Sequence, residues 1–232
     1  MVRNRWHYTG QLPPTRFNMA RYCLAAAARD TPDKVALVVV SDAKALPERA
    51  ECWTYRQLDE TVRQVAAGLR AWGLDPGARL MIRMGNTSDY ALLFFGAIAA
   101  GCVPLPSSAQ LTEEEADFLL ADAGAEMVAM SEELAIHPPP DVRVLTPADI
   151  ARLRTHHDAV DYADTAAADP AFLIYTSGTT GQPKGVLHAQ RSAWGRRPMY
   201  QGWYDIRQDD VVLHTGAFNW TYTLGVGLTD PW

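Results

Sequence analysis

The residues best suited to chemistry lie in one glycine-rich stretch, residues 175–185. A short apolar run at residues 169–174 precedes it, and this run predicts a buried strand. Glycines allow positive φ angles and close backbone approach, so successive N–H groups can converge on an anion. Hydroxyl donors and one lysine complete a set of groups suited to the phosphates of a polyphosphate ligand. The predicted site residues are Thr176, Ser177, Gly178, Thr179, Thr180, Gly181 and Lys184.

Two other interpretations of this stretch are weaker. It is not a Walker P-loop, because Pro183 precedes Lys184 and Gly185 follows it, where that motif has Gly-Lys-Ser/Thr. Its Ser, Thr and Gly content is also typical of a flexible linker. A linker, however, needs neither the strand before it nor the ordered Pro-Lys-Gly ending.

Residues 175–185 read Y-T-S-G-T-T-G-Q-P-K-G. They resemble the signature Y-T-S-G-T-T-G-x-P-K-G of the adenylate-forming enzymes and match every fixed position of it. This family comprises acyl- and aryl-CoA ligases, adenylation domains of peptide synthetases, and luciferases. The resemblance implies that the stretch, with Lys184 as a phosphate-binding residue, holds the β- and γ-phosphates of ATP while a carboxylate attacks the α-phosphate. The implied products are an acyl-adenylate and pyrophosphate, and a ligase would then use coenzyme A as co-substrate.

The composition excludes several other classes of protein. The 232 residues carry a net charge of −6, and no basic run suggests a nucleic-acid partner. The three cysteines have no paired spacing for zinc and predict free thiols in a reducing cytoplasm. The most apolar stretch, residues 91–105, is too short to span a membrane. We therefore expect a soluble, cytoplasmic protein whose oligomeric state the sequence leaves open.

Strand and helix patterns alternate along the chain, which predicts an α/β fold of mostly parallel sheets flanked by helices. Capping boxes begin two of the helices, at Thr54 and Thr112, and Gly73 and Gly124 end them. The likeness to the family runs from about residue 20 to the last residue and is weaker outside the signature. The predicted strands are residues 35–40, 79–84, 126–130, 142–145 and 169–174; the predicted helices are residues 15–29, 54–73, 86–100, 112–124 and a short one from residue 146.

The segment after the glycine-rich stretch predicts a helix over residues 186–204, kinked at Pro198. His188 is interpreted as a structural histidine rather than an acid or base, because nothing nearby supplies an orienting carboxylate. The family often has a histidine at the position of Gln190. The arginines of this segment fit a solvated helix face better than a contact to phosphate or coenzyme A; they are Arg191, Arg196 and Arg197.

Residues 209–214 predict a turn followed by a strand, and residues 215–225 place aromatic side chains between glycines. Ligands bind at the carboxyl ends of strands in α/β sheets, and aromatic walls suit an apolar or aromatic acid. An ordinary packing cluster is an equally good interpretation of this segment. The resemblance favours the first, because the corresponding family segment lines the acyl pocket. It makes Trp220 and Tyr222 the candidates for the substrate pocket of a small carboxylic acid.

The later motifs of the family do not occur in residues 1–232. These motifs supply a glutamate for Mg²⁺, an aspartate for the ribose and a lid-domain lysine, so the resemblance implies that most Mg²⁺ ligands lie elsewhere. We therefore expect residues 1–232 to be a partial N-terminal domain of an AMP-dependent synthetase or ligase, without the C-terminal lid domain and poorly active alone. The alternatives are a free-standing or degenerate nucleotide-binding protein without ligase activity, and an adenylation domain that serves a carrier protein.

Overall fold

Alternating apolar strands and amphipathic helices form an α/β fold in the computed structural model, which describes residues 10–40, 50–155, 158–177 and 182–232. The strands are β1 Val35–Val39, β2 Glu51–Thr54, β3 Arg79–Arg83, β4 Val103–Pro106, β5 Met127–Met130, β6 Arg143–Leu145, β7 Pro170–Thr176 and β8 Lys184–Ala189. The helices are α1 Met19–Asp30, α2 Tyr55–Ala71, α3 Ser88–Ala99, α4 Glu113–Ala123, α5 Pro147–Leu153, α6 Ser192–Gly195, α7 Arg197–Gly202 and α8 Thr221–Leu224. A 3₁₀ turn spans Glu132–Leu134, and α8 continues as a π-helix over Gly225–Thr229.

The central sheet has the order β4-β3-β5-β6, and all its strand pairs are parallel. Parallel neighbours need a crossover between them, and here α3 connects β3 to β4 while α4 connects β4 to β5. The residues of β4 and β5 are all buried, as expected for strands covered on both faces. The predicted α/β class with parallel strands and flanking helices is confirmed.

Local signals positioned the main helices correctly. The Thr54 side chain accepts a hydrogen bond from the Gln57 backbone N–H, and the Gln57 side chain accepts one from the Thr54 backbone N–H, so the predicted capping box starts α2. A second reciprocal pair, Thr112 with Glu115, starts α4, and Gly124 ends that helix in the left-handed conformation at φ 57°. The predicted apolar face of α2 is buried against the core; its residues are Leu58, Val62, Val65, Ala66 and Leu69.

The first helix and strand differ from the prediction. Helix α1 begins at Met19 rather than residue 15, because the Asn18 side chain accepts hydrogen bonds from two backbone N–H groups of the first turn. The apolar run of β1 is not a buried strand, since Val35 and Val38 are 50% and 47% exposed. It forms an antiparallel ribbon with β2 outside the central sheet. The polar residues 41–50 that follow β1 predict a turn, but all of them except Ala50 lie outside the described residues.

The predicted helix over residues 186–204 is wrong. Residues 184–189 form β8, which pairs antiparallel with β7. Val186 and Leu187 suit either structure, and the neighbouring edge of β7 offers their backbone groups hydrogen-bond partners. Two short helices follow, and Pro198 lies in the first turn of α7, where its missing N–H needs no partner, rather than at a kink.

The predicted strand at residues 209–214 is also wrong. A turn is present at residues 208–209, but residues 210–215 have no regular structure. Val211 and Leu213 are 94% and 83% exposed, and no strand within the described ranges pairs with them. An apolar β-branched run becomes a strand only where a partner edge is available.

No helix among the described residues is both long enough and apolar enough to cross a bilayer.

Candidate functional site

The β7–β8 hairpin brings both ends of the glycine-rich stretch together. Thr176, the last residue of β7, is paired directly with Lys184, the first residue of β8. The Thr176 hydroxyl donates to the Lys184 carbonyl at 3.5 Å, and both Lys184 and Ser177 are exposed. We call Thr176, Lys184 and the residues between them the hairpin tip. Four predicted site residues of this tip lie outside the described residues: Gly178, Thr179, Thr180 and Gly181.

One face of the hairpin carries the charged end and an aromatic pair. Paired residues share a face, and side chains alternate along each strand, so Thr176 and Lys184 lie on the same face as Phe172 and His188. The two pairs are four residues apart, which corresponds to about 13 Å of strand. The Phe172 and His188 rings are stacked, with centroids 4.4 Å apart and planes inclined by 6°. This face therefore extends from the exposed Lys184 to the ring pair of buried Phe172 and half-buried His188.

The surroundings of His188, at the inner end of this face, disfavour its protonated form. Burial lowers its pKa, and the nearby positive charge of Arg196 lowers it further. Its Nε2 lies 3.5 Å from the Thr221 hydroxyl, at the start of α8. Within the described contacts no carboxylate bonds to the ring, in agreement with its interpretation as a structural histidine. A cavity of about 150 Å³ lies beside it, lined by Met19, Phe172, His188, Ser192, Ala193, Arg196, Thr221, Leu224, Gly225 and Thr229.

The arginines after β8 do not form a solvated face of one helix, so that interpretation is wrong. Arg196 donates from Nε and one terminal nitrogen to both carboxylate oxygens of Asp230, at 2.7 and 2.6 Å. The side chain of Asp230 is fully buried and that of Arg196 is 19% exposed. Burial acts against the Arg196 cation, but the bonds and charge of Asp230 outweigh it and raise its pKa. Arg197 covers the Trp194 ring at 3.4 Å, and Arg191 is exposed.

Gln190, at the position where the family often has histidine, connects two elements. It is fully buried, accepts from the Met19 N–H at 2.7 Å, and donates to the Pro170 carbonyl at 2.9 Å. These bonds tie the start of α1 to the start of β7. Its role is therefore in the packing of the hairpin against the N-terminal helix.

The predicted pocket residues Trp220 and Tyr222 are each 53% exposed. Tyr222 packs 6.0 Å from the Trp203 ring, and Trp203 is stacked on Tyr204. Trp220 and Tyr222 therefore belong to an exposed aromatic surface rather than to the small cavity beside His188. Their contact with an acid remains a prediction.

A cleft of about 770 Å³ lies away from the hairpin tip. Gly77 and Gly101 on its wall precede β3 and β4, and Pro170 begins β7, so the cleft opens at the amino ends of these strands. Thr176 is at the carboxyl end of β7, where ligands bind in α/β sheets. The hairpin tip therefore stays the candidate functional site in spite of the greater volume of the cleft.

Metal-ligating side chains do not cluster in the described parts of the chain, where no group of three or more His, Cys, Asp or Glu residues is placed to hold an ion. The cysteines are free thiols, as predicted. Cys23 and Cys102 are buried, and burial raises the pKa of the Cys102 thiol to about 12. Neither buried thiol is suited to act as a nucleophile.

Residues 24–229 match the family model described as AMP-binding enzyme. The long-chain-fatty-acid–CoA ligase FadD13 of Mycobacterium tuberculosis is 31% identical over 171 residues, which cover 69% of this chain and 34% of the ligase. The 4-hydroxybenzoate–CoA/benzoate–CoA ligase of Rhodopseudomonas palustris is 32% identical over 199 residues, 77% of this chain and 36% of that enzyme. The chain thus spans about a third of the length of these curated relatives.

The fold agrees with a solved structure. An inhibitor-bound crystal structure of the N-terminal domain of FACL13 from Mycobacterium tuberculosis superimposes with a TM-score of 0.81. The two chains are 26% identical, and the match covers 93% of this chain and 55% of that one. Both the sequence and the fold comparison therefore point to the same family.

Proposed function

The chain belongs to the AMP-binding enzyme family, and on that premise we propose that its hairpin tip binds the phosphates of ATP during activation of a carboxylic acid. The observation that carries the proposal is the pairing of Thr176 with Lys184, which closes the glycine-rich stretch and leaves its lysine exposed. Backbone N–H groups, hydroxyls and one ammonium group at a strand end are the donors that a polyphosphate requires.

In the proposed reaction, a carboxylate oxygen of the acid attacks the α-phosphorus of ATP. A bond from that oxygen to phosphorus forms, the α–β phosphoanhydride bond breaks, and pyrophosphate leaves with the electron pair. The role of Lys184 and of the hydroxyls Thr176 and Ser177, with Thr179 and Thr180, is to neutralise and orient the β- and γ-phosphates as charge develops on them. The role of Gly178 and Gly181 is to let the backbone approach the phosphates.

We further propose that the acid is apolar, that Trp220 and Tyr222 contact it, and that coenzyme A accepts the acyl group. The exposed aromatic surface around Tyr222 supports an apolar acid. In the second step the thiol sulfur would attack the acyl carbon and release AMP. A carrier-protein thiol is chemically equivalent, and transfer to such a protein instead of coenzyme A would exclude the CoA-ligase assignment.

Mg²⁺ accompanies ATP in such reactions. Among the described residues, no group of three or more His, Cys, Asp or Glu side chains is placed to hold an ion. We also propose that the chain corresponds to part of an N-terminal domain, and that a lid domain would complete the enzyme. This division is supported by coverage, because the chain spans 34% and 36% of the two curated ligases and 55% of the solved N-terminal domain.

A lysine-directed label tests the phosphate site. The chain has three lysines, Lys34, Lys44 and Lys184. Pyridoxal phosphate forms a Schiff base with lysine, its phosphate favours a phosphate-binding site, and borohydride makes the adduct permanent. We expect labelling of Lys184 that ATP suppresses, read by peptide mass spectrometry, while ATP leaves Lys34 and Lys44 labelled as controls. Equal labelling of Lys184 with and without ATP would contradict the proposal.

An exchange assay tests the chemistry itself. In a longer protein that also carries the lid domain, we expect acid-dependent exchange of radioactive pyrophosphate into ATP, reduced at least tenfold by Lys184→Ala because a charge-assisted contact is lost. Arg191→Ala, an exposed cation seven residues away, is the matched control. Protection of Lys184 by ATP without any exchange would support a nucleotide-binding protein without ligase activity.

A further inference from the structure

The first and last residues of the glycine-rich stretch lie opposite each other. Tyr175 of β7 is paired with Gly185 of β8, one step below the Thr176–Lys184 pair. Because side chains alternate along a strand, Tyr175 points away from the face that carries Thr176 and Lys184. Leu173 lies on the same face as Tyr175, and both residues pack in the apolar cluster that includes residues of β4 and α4.

Gly185 makes room for this arrangement. A Cβ atom there would lie 3.2 Å from Leu173 Cδ1 and 3.3 Å from Tyr175 Cζ, closer than ordinary carbon contacts. The Tyr175 ring therefore lies across the backbone of β8 and covers the position where another residue would carry its side chain. The glycine thus leaves the space that the Tyr175 ring occupies, as well as contributing to the stretch.

The ring ends on α4. The Tyr175 hydroxyl donates to Asp122 Oδ2 at 2.6 Å, across 53 residues of sequence. Burial raises the pKa of Tyr175, and the bond to Asp122 raises it further. Helix α4 is itself fixed, because its apolar residues Ala116, Leu119, Leu120 and Ala123 are buried.

The strand opposite provides less support for the tip. The residues of β8 from Lys184 to Leu187 are all exposed, whereas β7 is buried from Ala171 to Ile174. Tyr175 is thus the last residue of β7 that reaches the body of the protein before the tip begins. Displacement of its ring would shift the backbone on which Thr176 and Lys184 are placed.

We propose that Tyr175 and Asp122 are positioning residues for the phosphate site, a pair we name the Tyr175–Asp122 clamp. The clamp fixes the hairpin tip to α4 and so presets the separation and direction of the groups that meet the nucleotide. Asp122 lies outside the signature, and its hydrogen bond among the described residues is to Tyr175. The inference rests on the function proposed above, because it concerns the same site.

The test compares Tyr175→Phe, Asp122→Asn and the double variant with the unsubstituted chain. The readout is the ATP concentration that half-protects Lys184 from pyridoxal phosphate, alongside the thermal unfolding midpoint. We expect each single variant to raise that concentration about threefold to tenfold, the range for loss of one hydrogen bond. The double variant should be no worse than either single one, because the two substitutions remove the same bond.

Asp117→Asn is the matched control. It makes the same chemical change on the same helix, and Asp117 Oδ1 has no hydrogen-bond partner among the described residues. We expect the ATP concentration that half-protects Lys184 to be the same in Asp117→Asn as in the unsubstituted chain. A purely structural role would lower the unfolding midpoint of the clamp variants without moving half-protection relative to this control.

The outcomes separate the two proposals. Protection of Lys184 in the unsubstituted chain with unchanged half-protection in both single variants would overturn the clamp and leave the proposed function standing. Additive losses in the double variant would also overturn it, since the two side chains would then act independently. If ATP fails to protect Lys184 in the unsubstituted chain, the proposed function fails, and the clamp fails with it.

Discussion

At the residue scale, burial and neighbouring charge decide the protonation state of each side chain. His188 illustrates this, because it combines a stacked neighbour, Phe172, with the cation Arg196 nearby. Both burial and the charge disfavour the imidazolium. A neutral ring can approach the Thr221 hydroxyl and keep α8 against the hairpin, which is a packing role rather than acid–base catalysis.

His188 should make the free energy of unfolding depend on pH. Its folded pKa lies below the unfolded value of about 6.5, so the unfolded state binds more protons between these two values. Stability should therefore be fully present above about pH 6.5 and fall as the pH drops toward the folded pKa. We expect His188→Phe, which preserves stacking on Phe172, to reduce the loss of stability between pH 7.5 and 5.5 in urea unfolding.

His137→Asn is the control for this measurement, because the His137 side chain is 97% exposed. Its ion pair with Glu113 lies at the surface, where such pairs contribute little to stability, so His137→Asn should change the pH dependence less than His188→Phe does. An unchanged pH dependence in His188→Phe would show that His188 contributes nothing to acid sensitivity.

At the scale of elements, close packing of α2 on α3 supports the central sheet. The residues of α3 from Tyr90 to Ala99 are all buried, and the helix has no polar face in its middle. Gly96 allows a close approach, because a Cβ there would lie only 2.5 Å from Val65 Cγ1 on α2. The two helices therefore meet where one residue lacks a side chain.

Gly96→Ala should destabilise the protein by about 1–3 kcal/mol, the usual cost of overpacking a core. Val65→Ala alone should also destabilise it, because it removes buried methyl groups. In the double variant the new methyl group enters the space that Val65 vacates. The stability lost in the double variant should therefore be clearly smaller than the sum of the losses in the two single variants. Chemical denaturation measures all three, and strictly additive losses would exclude a direct contact between these positions.

At the scale of the whole molecule, the last described residues join elements that are far apart in sequence. The Cys23 thiol of α1 donates to the Thr229 carbonyl at 3.7 Å, and the Trp232 indole donates to the Ala36 carbonyl of β1 at 3.0 Å. The Trp232 ring packs 5.0 Å from Phe95 of α3. Asp230 lies among these contacts, so its ion pair with Arg196 connects the segment after β8 to the core.

Asp230→Asn should cost about 3 kcal/mol of stability, because it leaves the buried Arg196 cation without its carboxylate. Asp30→Asn is the matched control, since it breaks the exposed pair with Arg29 and should leave the unfolding midpoint within error. Urea denaturation with both variants measures the difference. If Asp230→Asn and Asp30→Asn both left the free energy of unfolding unchanged, the Arg196–Asp230 pair would contribute no net stability.

The sequence by itself determined the features that depend on near neighbours in the chain. Capping boxes at Thr54 and Thr112, the apolar face of α2 and the parallel character of the sheet all follow from local spacing and from the strand–helix alternation. The signature at residues 175–185 likewise identified the family, because its residues are contiguous. The phosphate-binding chemistry proposed for residues 175–185 therefore follows from the sequence itself and stays a prediction.

Only the tertiary structure decided which distant segments meet. Residues 184–189 became a strand rather than a helix because the edge of β7 was available, and residues 210–215 stayed irregular without such an edge. The Arg196–Asp230 and Tyr175–Asp122 contacts join residues 34 and 53 positions apart. Such pairs leave no periodic signal in the sequence, because their energy comes from burial and geometry that exist only after the chain has packed.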